Sequence, residues 1–436
     1  MKRKSVWIIA VVALFLAGLG VALVRLGVQE RRAANQLWKE YADGLRAAGE
    51  PVTMADVERL RPVVPPEVNG ALIIEGLVKE LGQLDDDDTA GVAFFDESLR
   101  KRKAWTEVLG VPLGPSRTFL ASHAAVLKSL QGLAKSEGGR LTVSYDTGKD
   151  NPSEIMLPSI REWRQASRLL QLETLIAAHD NELARAVEAI GLQGKLAATL
   201  QAEPNLISRL VQIAIDNETV DSLEGLMRLS RLDGQRTQML ERVVACRLMQ
   251  SSLKASFFLE RAYFLTICNG LAERRIEWSD VSGEEQFRMS LPQIRRNQVD
   301  GAKWYDELVD AADEQTAVLS VVRRIDSDMV EAAGSMSKRW GSHRIVLTLM
   351  PSFGRAVEIH LSCIARLRCA QIGLAADRFH QERGRFPVGG EELVPDYLQS
   401  VPVDPFSNSP LRFVETKDGL VVYSIGEKLV DDGGSR

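Results

Sequence analysis

The sequence predicts a mainly α-helical protein with an N-terminal transmembrane helix, an irregular antiparallel helical array and a small C-terminal α+β module. Three observations predict it. The chain opens on an uncharged apolar run, apolar residues recur at helical spacing through most of its length, and prolines and β-prone runs gather near its end. A chain of 436 residues accommodates two or three domains. We divide it into a signal anchor (1–28), an N-terminal helical region with loops (29–155), the helical array (156–350) and the α+β module (351–436).

No charge occurs from Val6 through Val24, a run that as helix covers ~28 Å, enough to cross a bilayer. A cleavable signal peptide has a shorter apolar core and a small-residue cleavage site, so an uncleaved anchor is the first reading and a cleaved peptide the second. Lys2, Arg3 and Lys4 favour a cytoplasmic N-terminus, although Arg25, Arg31 and Arg32 lie just beyond the far end. This places the protein in the cytoplasmic (inner) membrane as a single-pass protein, with most of the chain extracytoplasmic.

Residues 29 to about 62 read as a charged helix, a turn at Gly49 to Val52 and a short helix from Thr53. Prolines then give way to a helical stripe at Leu72, Ile73, Leu77, Leu81 and Leu84. The Asp85 to Asp88 run lacks the alternating ligands and Gly of an EF-hand and reads as a solvated loop. From Arg140 to Ser159, turn formers and one strand-like piece mark a boundary. Helices resume after Pro158, with expected breaks near His179 to Asn181, at Glu203 to Pro204 and near Asp216 to Glu218. Ala178, His179, Asp180 and Ala184 give the first pair a weak resemblance to a tetratricopeptide repeat, without a recurring 34-residue period. Further helix spans about Gln235 to Ala272, and Ser279 to Gly301 reads as a long connection. A last helix starts near Ser352 and stops where Gly384 supplies a left-handed cap and Pro387 prevents resumption. Pro395, Pro402, Pro405 and Pro410 punctuate the stretch after it. A hairpin follows from Leu411 to Ile425, with Phe413 and Tyr423 expected against the helix around Leu367 to Phe379.

With 54 basic and 59 acidic side chains and a net charge of -5, the chain lacks the basic excess that phosphate neutralisation needs, which excludes nucleic acid as the expected partner. Four cysteines make no disulfide scaffold. Cys363 and Cys369 on one helix are ~9 Å apart along its axis, too far to bridge. Cys246 and Cys268 are read as free buried thiols, with a bridge between them as the alternative. The five histidines show no chelating spacing, and no GxxxxGK[ST], GxGxxG or HExxH occurs. Ser335 and Lys338 spell SxxK but lack the SDN and KTG companions, so we read them as structural.

The last sixth of the chain, from about 358 to 434, resembles the globular domain of the major pseudopilin of type II secretion systems, related to type IV pilins. The resemblance rests on Phe379, Gly384, Arg385, Phe386 and Pro387 at the helix exit, then Asp404, Pro405 and Phe406, then Phe413, Tyr423 and Gly426, with Asp431 to Gly434 closing the match. It implies a long helix covered by a strand unit. It further implies a calcium ion held after the last strand, for which Ser424, Glu427, Asp431 and Asp432 are the candidates here. Lys428 to Val430 replace the Gly/Asp-rich turn of that loop, so a solvated acidic tail stays open beside calcium. Because a long helical region separates the membrane run from the matched part, the arrangement is similar to large bacterial envelope proteins of unassigned function rather than to a filament subunit.

The expectation is a non-enzymatic, membrane-anchored scaffold or protein-interaction protein, attached through residues 6–24, with protein partners and no cofactor unless calcium binds. The alternatives are an accessory of a secretion apparatus and an extracytoplasmic hydrolase with a cleft between the helical layers and the C-terminal module.

Overall fold

A computed structural model describes residues 2–84, 89–95, 112–148, 160–249, 252–283, 289–334, 343–416 and 419–434, with side chains from Leu14 onward. The acidic run Asp85 to Asp88, Ser335 with Lys338, and the hairpin residues Lys417 and Asp418 lie outside the described residues. The chain is mainly helical, with one two-stranded antiparallel sheet near its C-terminus.

The first helix, α1 (Lys2–Ala47), is continuous for 46 residues. Its residues 14–33 are exposed without exception, and burial begins at Ala34. From there Ala34, Trp38, Tyr41, Ala42 and Leu45 recur at steps of three and four, so one stripe of α1 faces the body. Among the described residues no helix is long and apolar enough to cross a membrane. The predicted span Val6 to Val24 begins in the part of α1 whose side chains lie outside the described residues.

Gly49 turns the chain with φ 74°. Thr53 and Asp56 then close a capping box that starts α2 (Met54–Leu60). Two short helices, α3 (Gly70–Glu75) and α4 (Val78–Gln83), and two more, α5 (Gly114–Ser122) and α6 (Ala124–Leu130), pack on α7 (Arg161–His179). Trp163, Leu169, Leu170 and Leu196 are at the centre of this first core. α7 and α8 (Leu183–Ala198) form a close pair joined through Asn181, which takes the left-handed conformation at φ 61°. A second core joins α8, α9 (Leu206–Leu229) and α10 (Gly234–Met249). A third gathers α11 (Lys254–Ala272), the short α12 (Trp278–Ser282), α13 (Leu291–Ala311), α14 (Gln315–Gly334) and α15 (Arg344–Leu349) around Phe257, Phe264, Tyr305 and Phe353.

Three expectations are corrected here. No break occurs near Asp216 to Glu218, because the polar residues there bind neighbouring helices instead of solvent. Asp216 pairs with Arg247 of α10, and Glu218 with Arg164 of α7. The connection from Ser279 to Gly301 ends early, since Ser290 and Gln293 close a capping box and Pro292 fits the first turn of α13. The strand-like piece after Arg140 pairs with no strand in its described part. Its amides are taken by carboxylates: Leu141 N–H by Glu203 at 2.8 Å, Thr142 N–H by Glu75 at 3.0 Å and Tyr145 N–H by Glu58 at 2.9 Å.

The long helix α16 (Gly354–Arg383) threads three cores. Val357, Leu361 and Ile364 enter the third core, while Cys363, Leu367 and Leu374 enter the second. Ile372, Ala375 and Phe379 cover the terminal unit. Polar ties add to this: Arg366 donates to Asp221 at 2.5 Å and Arg378 to Glu241 at 3.1 Å. The helix assigned by sequence to the C-terminal module is therefore also an inner element of the body. Gly384 caps it at φ 72°.

The hairpin is β1 (Arg412–Thr416) and β2 (Gly419–Tyr423). Its register sets Phe413 opposite Val422 and Arg412 opposite Tyr423. Opposed residues share a face and successive ones alternate, so only one of these pairs can meet α16. Phe413 and Val422 pack on the terminal core. Tyr423 therefore points the other way, which corrects its expected place under the helix. Its hydroxyl donates to Asp431 at 2.9 Å, and its ring lies beside Gly434.

Candidate functional sites

The matched residues of the terminal unit hold one another together. Arg385 donates to Glu392 at 2.8 Å, its guanidinium lies 5.1 Å from the ring centre of Phe379, and Phe386 stacks on His380 at 4.3 Å. Pro387 and Pro405 are buried. Asp404 is buried and accepts from Phe406 N–H, Ser424 Oγ and Ile425 N–H, each at 2.9 Å. It thus ties the loop before the hairpin to the loop after it. Phe406, held by this turn, inserts into the third core of the body.

The four calcium candidates take separate partners. Ser424 Oγ turns to Asp404 and accepts from Gly426 N–H, Asp431 accepts from Tyr423 Oη and Gly433 N–H, and Asp432 accepts from Gly434 N–H. The backbone oxygen of Glu427 accepts from Arg323 at 3.5 Å. Among the described residues no group of three or more His, Cys, Asp or Glu side chains is arranged to hold a metal. The cysteines are free.

A cleft of about 450 Å³ opens elsewhere, between α2, the extended segment after it, the end of α8 and the start of α11. Its walls are largely aliphatic, with Val57, Val64, Val68 and Ala202 among them and Phe258 at one side. A smaller cleft of about 200 Å³ lies across Val68, lined by Ile73, Gly132 and Ser136. The chain can close here because residue 139 is glycine: a Cβ on it would sit 2.2 Å from the carbonyl oxygen of Thr199.

Behind the larger cleft stands a charge network absent from the sequence reading. Arg61 donates to Glu203 at 2.5 Å, to both oxygens of Glu58, and to the carbonyls of Leu141 and Val143. Arg140 pairs with Glu58, and Tyr145 Oη donates to Glu203 at 3.2 Å. Burial raises the Glu203 carboxyl against the pull of Arg61 and of the Leu141 amide. Burial acts on Glu58 too, but hydrogen bonds from Tyr145 N–H and Arg61 outweigh it and hold that carboxyl below its usual range. The network spans residues 58 to 203, so no short motif could reveal it. Its chemistry is structural: each carboxylate is already engaged by donors.

A second network clamps α1. Tyr41 Oη donates to Asp306 at 2.8 Å, and Arg261 donates to Asp306 at 2.7 Å and to Glu50 at 2.6 Å. Arg295 donates to Asn35 at 3.3 Å and lies over the Trp38 ring. No protein-family model, curated protein or solved structure matches this chain.

Proposed function

We propose that the protein is a membrane-anchored scaffold whose helical body, outside the cytoplasmic membrane, carries the terminal α+β unit for contacts with other proteins. One observation carries this reading: residues 14–33 of α1 stand clear of the body, and the first half of that stretch is apolar on every side. Phe15 is 71% exposed, Leu23 60% and Val24 67%. An apolar helix surface of this kind is costly in water and favourable in hydrocarbon. The charged turn at Glu30, Arg31 and Arg32 suits the headgroup layer, and the clamp on Tyr41 suits a body held at fixed height without a flexible linker. Val6 to Val24 is the span in this reading, with the N-terminus inside. The pseudopilin-like reading of residues 358 to 434 supports a place beside a secretion apparatus, and calcium at the last loop would belong to it.

The test is membrane fractionation of the full chain beside a form lacking residues 2–28. The full chain is expected in the membrane pellet after alkaline carbonate extraction, and the shortened form in the supernatant with an unchanged helical circular dichroism spectrum. Release of the full chain by carbonate would overturn the anchor.

A further inference from the structure

We infer that the joint between α9 and α16 is an acid-sensitive switch, in which His360 takes up a proton and the first half of α16 parts from α9. Two contacts set the register of this joint. Cys363 Sγ donates to the Ile213 carbonyl at 3.9 Å, and Arg366 donates to the Asn217 side chain at 3.1 Å, so the helices run side by side in the same direction. One turn back from Cys363 and from Ile213 stand His360 and Arg209, which therefore face each other. Both are buried, at 3% and 5% exposure. Of the chain's five histidines only His360 is buried.

Charge makes the joint sensitive. Asp216, the carboxylate that acts on Arg209, lies two turns further along α9 and is already bonded to Arg247 of α10. Arg209 donates to the uncharged Gln212 at 2.5 Å. An imidazolium at 360 would set a further cation against Arg209 in the interior, and its Nδ1–H would find no acceptor among the described residues. The other neighbours do not offset it. Cys363 lies one turn along α16, and burial keeps its thiol protonated. From α14, Asp326 and Arg323 turn to Ser352 and Glu358 at 3.3 and 3.8 Å. Burial first, and Arg209 second, hold the His360 ring well below its ordinary 6.5.

The sign of the response follows. Above about pH 6.5 the ring is neutral whether the helices are joined or parted, and the joint has its full strength. As pH falls below that value only the parted form, with the ring in water, binds a proton. The opening equilibrium then grows about tenfold per pH unit, until the joined form is protonated too. The helix that loosens carries the terminal unit on Ile372, Ala375 and Phe379, so acid acts on how that unit is held to the body. The switch is independent of membrane attachment.

The experiment is hydrogen–deuterium exchange of the full chain in lipid nanodiscs at pH 7.5 and pH 5.0, read by mass spectrometry and corrected for the intrinsic pH dependence of exchange. Peptides of α9 and of residues 354–368 are expected to lose about thirtyfold in protection at pH 5.0, while those of α7 change by less than about threefold. His360→Gln and His360→Leu, one polar and one apolar, remove the proton site. In either variant the α9 and α16 peptides are expected to keep the same protection at both pH values. Unchanged protection at the joint of the parent, an equal loss in α7, or a loss that persists in a folded variant would overturn the inference. The first two outcomes need only the parent, so a variant that fails to fold leaves them decisive.

Discussion

Asp216, halfway along α9, accepts two hydrogen bonds from Arg247 of α10, from Nε at 2.6 Å and from Nη2 at 3.2 Å, with both side chains buried. Removing one partner of such a pair leaves a charge uncompensated in the interior, at a cost of about 3–5 kcal/mol. Arg209 sharpens the effect, since burial already lowers its guanidinium to about 10 and the Asp216 carboxylate is what opposes that shift. Asp216→Ala is therefore expected to lower stability by about 4 kcal/mol in urea denaturation. The double variant Asp216→Leu with Arg247→Met should recover only part of that loss, because buried Arg209 still lacks the Asp216 carboxylate. A single variant within 1 kcal/mol of the parent would show that the pair is hydrated.

Phe406 joins the terminal unit to the body. It leaves the loop held by Asp404 and enters the core that contains Phe257, Tyr305 and Phe353. Phe406→Ala is expected to cost about 3 kcal/mol and to lower a single unfolding transition rather than split it. Two separated transitions in calorimetry would show the terminal unit to be independent. By the same packing, residues 351–436 alone would expose Leu361, Ile364 and Leu367, and we expect them to lack a cooperative melt.

What could be read from sequence was local. Gly384 stops α16 because a left-handed residue is needed there, and the requirement is written at that position. Thr53 starts α2 for an equally local reason. Asp216 looked like a helix breaker because its partner, Arg247, lies 31 residues away. The segment after Arg140 looked like a strand because its acceptors, Glu58, Glu75 and Glu203, come from three separate places. Tyr423 was misplaced by one register position, which reverses a side chain's face. The cleft was invisible for the same physical reason: its walls join α2, the loop around Gly138, the end of α8 and Phe258, and no spacing in the chain records that meeting.

Arg261 decides how α1 meets the body. Its guanidinium bridges Asp306 and Glu50, and Asp306 also receives Tyr41 Oη of α1. Arg261→Met leaves both carboxylates without their shared cation. The expected outcome is a loss of about 3 kcal/mol, with faster tryptic cleavage at Arg46 than at distant sites. Tyr41→Phe keeps the ion pair and should cost only about 1 kcal/mol, the value of one hydrogen bond. Equal effects of the two would mean that α1 is held by its apolar stripe alone.

Glu260 gives the stability a pH dependence of known sign. It sits on α11, one turn from Phe257 and Phe264, and burial alone pushes its carboxyl up to about 7 from an ordinary 4.5. A carboxyl raised in the folded state binds its proton more tightly there than in the unfolded chain. Stability from this group is therefore complete below about pH 4.5 and is lost as pH rises through 7. The loss amounts to roughly 2–3 kcal/mol between those limits. Glu260→Gln should remove this slope, matching the parent near pH 5 and exceeding it near pH 8. Urea denaturation of both forms at the two pH values tests it, with the difference between them as the readout. A difference that stays constant from pH 5 to 8 would place the Glu260 carboxylate in water.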